Sequence, residues 1–182
     1  MGLAERVLSF WFGDGEDGFR EAWFKKDPEF DQEIEEQFGA EREVAAAGRH
    51  DALAETADGA LALVILLDQF SRNLLRGQAE AFASDAKALG IAKTAISNGF
   101  DMKMSPIRRS FFYVPFEHSE DLADQERGIE LFEALGNENM LKYMIEHHDI
   151  IARFGRFPHR NAVMGRTSTP EEIEFLKNFE SF

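Results

Sequence analysis

The chain has no acidic residue between Asp149 and Glu171, and inside that gap the run RFGRFPHRNAVMGR (153–166) holds Arg153, Arg156, His159, Arg160 and Arg166. This run carries +4, while the rest of the 182-residue chain, with 16 basic and 34 acidic residues, carries −18. Guanidinium groups are planar and bind carboxylate or phosphate bidentately, which a lysine ammonium cannot do. A cation at a helix C-terminus gains only about 0.3–1 kcal/mol, so helix electrostatics alone does not call for four arginines. Two explanations stand open. In one, the arginines dock on this chain's own acids, with the cluster 117–126 as the counterpart. In the other, Arg153, Arg156 and Arg160 converge with Arg72 and Asn73 on an exogenous anion, with His159 or His147 nearby for proton transfer.

Two further groups have chemical potential. The segment LDQFSRNLLR (67–76) spaces Asp68, Arg72 and Arg76 four apart, on one helical face, with Gln69 and Asn73 on the next. At the end of so apolar a helix these groups form either an internal ion-pair ladder or part of a ligand site. The segment FEHSEDLADQE (116–126) sets His118 among Glu117, Glu120, Asp121, Asp124 and Glu126. Acids are favoured in a helix's first turn, which accounts for them structurally. A carboxylate from Glu117 or Glu120 would also fix the imidazole tautomer and poise His118 as a general acid or base. A metal site built from His118, Glu120, His147 and His159 has no recognised ligand spacing, and the arginines oppose a cation. No metal or cofactor is therefore expected. His147 and His148 are neighbours on a helix and point about 100° apart.

The elements that position these residues read as helices. Leu3 to Phe12 has helical apolar spacing, and the glycine-rich, acidic stretch 13–18 breaks it. Asp27 and Pro28 read as N-cap and first helical residue of a helix to about Ala47, stopped by Gly48. Residues 60–75 are apolar nearly all round at first, as in a central helix buried by neighbours. Further helices are expected over 84–98, from Pro106 to a kink or end at Pro115, from about Asp121 to Leu135, and from about Glu138 to Phe154. Thr169-Pro170-Glu171-Glu172 is a capping-box signature for a last short helix. No segment alternates as a strand would. The expectation is a single all-α domain, 1–182, of antiparallel helix pairs around the central helix. The pair 84–98 and 106–118 is similar to a tetratricopeptide unit, although no full repeat at a ~34-residue period emerges.

Composition narrows the function class. With 44% hydrophobic residues and 18 phenylalanines the chain can fill a core, and with no cysteine it has neither disulfides nor thiolate metal sites. A net charge of −14 argues against sequence-independent nucleic-acid binding and against anionic membranes. No apolar stretch reaches the ~20 residues of a membrane helix, and the start MGLAERVLSFWF lacks leader features, so a cytoplasmic location is expected.

Four stretches carry a resemblance: VLSFWFG (7–13), LALVILLDQFSRN (61–73), VPFEHSED (114–121) and HHDIIARFGRFPHRNAVMGRTSTPEE (147–172). On them the chain resembles a widespread bacterial family, domain of unknown function 924, whose fold is tetratricopeptide-like and all-helical. The resemblance implies an α-α superhelix. It also implies family-motif roles for Asp68, Gln69, Arg72, Asn73, His118, Glu120, His147, Arg153, Arg156, His159, Arg160 and Asn161. It implies no activity. One departure lies before Leu61, where a tryptophan is expected and Ala52, Leu53 and Ala54 stand, a matter of packing more than of chemistry.

Taken together, the expected site has His118, Glu120 and His159 as acid and base groups. Asp68, Gln69, Arg72, Asn73, His147, Arg153, Arg156, Arg160 and Asn161 serve as binding groups for a small anionic molecule. The rival readings are a tetratricopeptide-like module that grips an acidic peptide, and a purely structural use of every cluster.

Overall fold

A computed structural model describes residues 1–13, 20–23 and 25–179. The expected break over 13–18 falls almost wholly outside these residues; Gly13 itself ends the first helix with φ 81°. Eight helices and several short 3-10 turns make up the described chain, which contains no strand. They are α1 (Leu3–Phe12), α2 (Pro28–Ala46), α3 (57–74), α4 (Asp85–Ser97), α5 (Pro106–Glu117), α6 (Leu122–Leu135), α7 (Glu138–Phe154) and α8 (Pro170–Leu176). None of the described helices is long and apolar enough to cross a membrane. The chain divides into two compact units, one of residues 1–76 and 80–115, the other of residues 77–79 and 116–182.

The first unit is organised on α3. Residues 59–71 are all buried, as expected of a helix with neighbours on several sides. Between Ala57–Val64 and Phe70–Leu74 the helix widens into a π segment, Ile65–Gln69, in which the Phe70 N–H donates to the Ile65 carbonyl five residues back. Helices α1, α2 and α4 pack on α3, and α4 takes α3 rather than α5 as its main partner. The core between them is aromatic. Phe10 stacks on Phe30 at 5.2 Å, Phe38 meets Phe70 at 5.2 Å, and Trp11 meets Phe70 and Phe111 edge-on at 5.6 Å each. Asp27 caps α2 by accepting from the Glu29 and Phe30 amides.

The second unit is a helical hairpin with an appended C-terminal layer. Helices α6 and α7 pack on each other through a two-residue turn, Gly136 taking the left-handed conformation at φ 76° and Asn137 capping α7. Gly128 on α6 lets α7 approach closely, for a Cβ there would lie 2.5 Å from Met144 Sδ. The C-terminal layer is fixed by α8, whose Thr169–Glu172 capping box forms as expected, and by Phe175 against Phe154 at 5.0 Å.

Pro115 does not stop α5 where it stands, and the helix runs two residues further to Glu117. Its missing N–H and its ring act on the carbonyl four residues back, so the disturbance falls on the preceding turn and not on the two residues that follow. The exposed carbonyls are then taken up by one side chain. Gln125 Nε2 lies 3.1, 2.8 and 2.7 Å from the backbone oxygens of Phe116, Glu117 and Ser119. This amide fixes the turn that carries Glu117, His118 and Glu120.

Candidate functional site: an imidazole cluster around Phe157

Gly155 ends α7 in the left-handed conformation at φ 69°, and the chain then reverses through Phe157 into the 3-10 turn Pro158–Arg160. Phe157 is fully buried against Ile150 and Ile151. Its backbone is clamped from both sides by one ion pair. The Phe157 N–H donates to Glu120 Oε1 at 2.8 Å, Arg166 Nη2 donates to the Phe157 carbonyl at 3.1 Å, and Arg166 and Glu120 meet bidentately at 2.7 and 3.0 Å.

Two histidines pack on this ring, and a third packs on one of them. His147, on α7, presents its ring edge-on to Phe157 at 5.7 Å, and His118, in the turn after α5, lies 6.2 Å from His147 between ring centres. His159 packs on the ring from the 3-10 turn at 5.4 Å. The Arg160 guanidinium covers the same ring at 4.4 Å, within cation–π range, and its Nη1 donates to the His118 carbonyl at 3.2 Å.

Electrostatics follows from this burial. Desolvation pushes His147 down to about 3, aided by the charges of His118, Arg160 and His159 and opposed by its hydrogen bond to the Tyr143 carbonyl. Burial also lowers His159 to about 4, with Arg160, His118 and Arg166 adding to it and Glu120 opposing. Both imidazoles are therefore neutral at physiological pH, the form that accepts a proton or ligates a metal. Burial pushes the Glu120 carboxyl up, but the hydrogen bonds from Arg166 and Phe157 and the charges of Arg166 and Arg160 outweigh it and hold the group below the ordinary carboxylate range.

The other arginines of the run are taken by acids of this chain. Arg156 grips the buried Glu172 bidentately at 2.7 and 2.8 Å, and the Thr169 amide and Asn161 Nδ2 donate to the same carboxylate. The hydrogen bonds from Arg156 and Thr169 hold Glu172 down at about 2. Arg153 meets Glu171 at 2.8 Å on the surface. Thus Arg153 and Arg156 pair with the acids that close the acid-free stretch, and Arg166 pairs with the 117–126 cluster.

The residues at the end of α3 lie in the first unit and form a ladder of their own. Arg72 Nη1 donates to Asp68 at 3.1 Å, and the same guanidinium meets Asp85 of α4 bidentately at 2.9 Å, while Gln69 donates to Asp68 at 2.6 Å. Asn73 donates to Asp31 of α2 at 2.7 Å, and Arg76 binds that same carboxylate. Arg76 leaves the expected face because α3 ends at Leu74.

Glu117 was expected only as an alternative to Glu120 beside His118, and Phe157 was not expected to act at all. Glu117 contributes a buried carboxylate beside His118, and Glu117, His118 and His147 place one ligand atom each within 4.8 Å of one another. The sequence signal was the Glu-His pair following a proline-weakened helix end. Phe157, the hub, carried no chemical signal at all.

Residues 7–180 match a family described as "Bacterial protein of unknown function (DUF924)". The chain belongs to this family. It is also similar to the solved structure of a protein of unknown function from Agrobacterium tumefaciens. The two share 42% identity and a TM-score of 0.89, over 97% of this chain and 98% of that one. No curated protein matches the chain. The family extends across both units and supports the all-helical fold; neither it nor the solved relative names an activity.

Proposed function

We propose that the second unit binds a small anion, a carboxylate or phosphate, at the Arg160–His118–His159 cluster, with His118 and His159 serving as its acid and base groups. The observation that carries this reading is the packing of His147, His159 and the Arg160 guanidinium on a single buried ring, with His118 against His147. A core packed only for stability gains nothing from two desolvated histidines, His147 and His159, whereas an acid–base site needs neutral imidazoles beside a fixed cation. On this reading Arg160 holds the anion and Glu120 orders the Phe157 turn. Asp68, Gln69, Arg72, Asn73, Arg153, Arg156 and Asn161 then serve as internal ties, since each polar head has a partner in the chain.

Imidazole NMR on the whole chain tests it. Millimolar phosphate or acetate should shift the His118 and His159 resonances and raise their pKa values, because a bound anion favours the protonated ring. Arg160→Gln should abolish these shifts, and resonances in the parent that do not respond to either anion would refute the proposal.

A further inference from the structure

We propose that Glu117, His118 and His147 form a site for a divalent ion of the zinc class, with coordination positions left open for water or a ligand. The site goes beyond anion binding and does not depend on it; with the ion bound, His118 is a ligand and the acid–base work falls to His159. Its donor set is two imidazoles and one carboxylate, a set that suits zinc and its first-row neighbours and leaves a catalytic rather than a closed structural site.

Three observations support it. The donor atoms lie within 4.8 Å of one another, against about 3.3 Å between donors at ordinary zinc bond lengths in a tetrahedral site, so side-chain rotations of about an ångström close the gap. His147 Nδ1 lies 2.8 Å from the Tyr143 carbonyl. Only a protonated Nδ1 can make that bond, so the tautomer is set with Nε2 as the basic nitrogen. A backbone carbonyl orienting a ligand histidine in this way is the usual outer-shell device of metal sites. The third observation is the backbone that carries Glu117 and His118, anchored at three carbonyls by the fully buried Gln125, so two of the three ligands are placed by one fixed turn.

Charge is the objection to answer. Arg160 lies against His118 and repels a cation. However, Arg166 is neutralised by Glu120, and the Glu117 carboxylate brings a negative charge to the ion that offsets the one positive charge of Arg160. The ion's net environment is then close to neutral, and the repulsion that the arginine run suggests is mostly spent elsewhere. Magnesium and calcium, which prefer oxygen donors, should not bind.

The test is Zn2+ binding to the full chain by competition with a chromogenic chelator, and Co2+ substitution read by visible absorption. One Zn2+ per chain is expected, and Co2+ should give the intense d–d bands of a four- or five-coordinate site. Glu117→Gln and His147→Ala should each weaken Zn2+ binding by about tenfold or more. His148→Ala, at the neighbouring position on the helix, and His50→Ala, which removes the His50–Glu41 surface pair, should not change it. If His147→Ala does not fold by circular dichroism, the near-isosteric Glu117→Gln decides. Absence of stoichiometric Zn2+ in the parent, or binding undiminished in Glu117→Gln, overturns the proposal. The titration contains no phosphate or carboxylate, so its failure removes the ion and leaves the anion reading to its own NMR test.

Discussion

The polar groups ending α3 and those around Phe157 are both drawn into their units' cores, yet they are satisfied by different chemistry. At the end of α3 Asp68, Arg72 and Arg76 each have an opposite charge at hydrogen-bond distance: Arg72 between Asp68 and Asp85, Arg76 on Asp31. Such a ladder is chemically saturated, and what it does is tie α2, α3 and α4 together. In the second unit the ion pairs, Arg156–Glu172 and Arg166–Glu120, stand around the cluster. At its middle are imidazoles that burial keeps uncharged. Carboxylate and guanidinium consume each other, whereas neutral imidazoles remain able to take a proton or a metal. Chemistry in this molecule is therefore to be sought where histidine, not arginine, is concentrated.

The sharpest test of that contrast removes the ring at the centre of each cluster. Phe70→Ala and Phe157→Ala each delete a fully buried phenylalanine and should cost about 3–5 kcal/mol, read as a fall in the urea midpoint. The stability losses should be alike, but the histidine NMR spectra should not. Phe157→Ala is expected to move the His147 and His159 resonances, and Phe70→Ala to leave them in place. Equal perturbation by both would show that the imidazoles do not depend on the Phe157 ring.

Two glycines give the next largest difference. A Cβ at Gly59 would overlap the backbone carbonyl oxygen of Leu53 and lie 2.8 Å from Thr56 Oγ1. Backbone cannot step aside, so Gly59→Ala should destabilise by about 1–3 kcal/mol despite alanine's helix propensity. At Gly128 the obstacle is the Met144 thioether at 2.5 Å, with Phe116 Cβ at 3.2 Å. A methionine tip repacks, so the roughly 1 kcal/mol gained from propensity should offset most of the strain. Thermal denaturation of the two variants should show a large loss for the first and a small one for the second.

The helices were largely legible in sequence because their punctuation is local. Asp27-Pro28, Gly99, Gly136, Gly155 and the Thr169 capping box each mark an end through one or two residues. The partners of the arginines were half legible. Counting acids brought forward the 117–126 cluster, where Arg166 indeed finds Glu120, but it did not single out Glu171 and Glu172 as partners for Arg153 and Arg156. These two acids lie in the capping box, and its cap role already explained them. The imidazole cluster was legible only as a metal-site combination of His118, Glu120, His147 and His159 with no recognised ligand spacing. His118, His147 and His159 are separated by 29 and 12 residues, and their meeting depends on how α7 reverses at Gly155 and on the Gln125 anchor, neither of which leaves a periodic trace.

Acid titration separates the two kinds of satisfaction again. His159 has its folded pKa depressed from 6.5 to about 4 by burial first, with Arg160, His118 and Arg166 adding to it and Glu120 opposing. A depressed group contributes stability above its unfolded pKa, and that contribution is lost as pH falls from 6.5 through 4. Glu172, depressed from 4.5 to about 2 by Arg156 and Thr169, begins to lose its contribution only below 4.5. The second unit's acid unfolding should thus begin above the carboxylate range. His147, depressed further to about 3, acts over the same early window, so His159→Phe should reduce the early part of the pH dependence without abolishing it and leave the later part, as followed by Tm between pH 7 and pH 3.

The smallest effect expected is at Arg153, the residue with which the arginine run begins. Its ion pair with Glu171 is short at 2.8 Å, but the two side chains are 53% and 62% exposed. Water screens such a pair and both side chains lose rotamer freedom in making it, so its contribution is about 0–1 kcal/mol. The Arg153 guanidinium also lies 4.7 Å from the Phe154 ring centre, an exposed contact of about 0.5–1 kcal/mol. Arg153→Ala should therefore shift the urea midpoint slightly and leave the histidine resonances unmoved. Arg153→Lys should restore most of the small loss, since a surface point charge needs no planar fork. A change in the His118 or His159 signals in Arg153→Ala would bring this arginine back into the site. The division between outer ion pairs and inner imidazoles would then have to be redrawn.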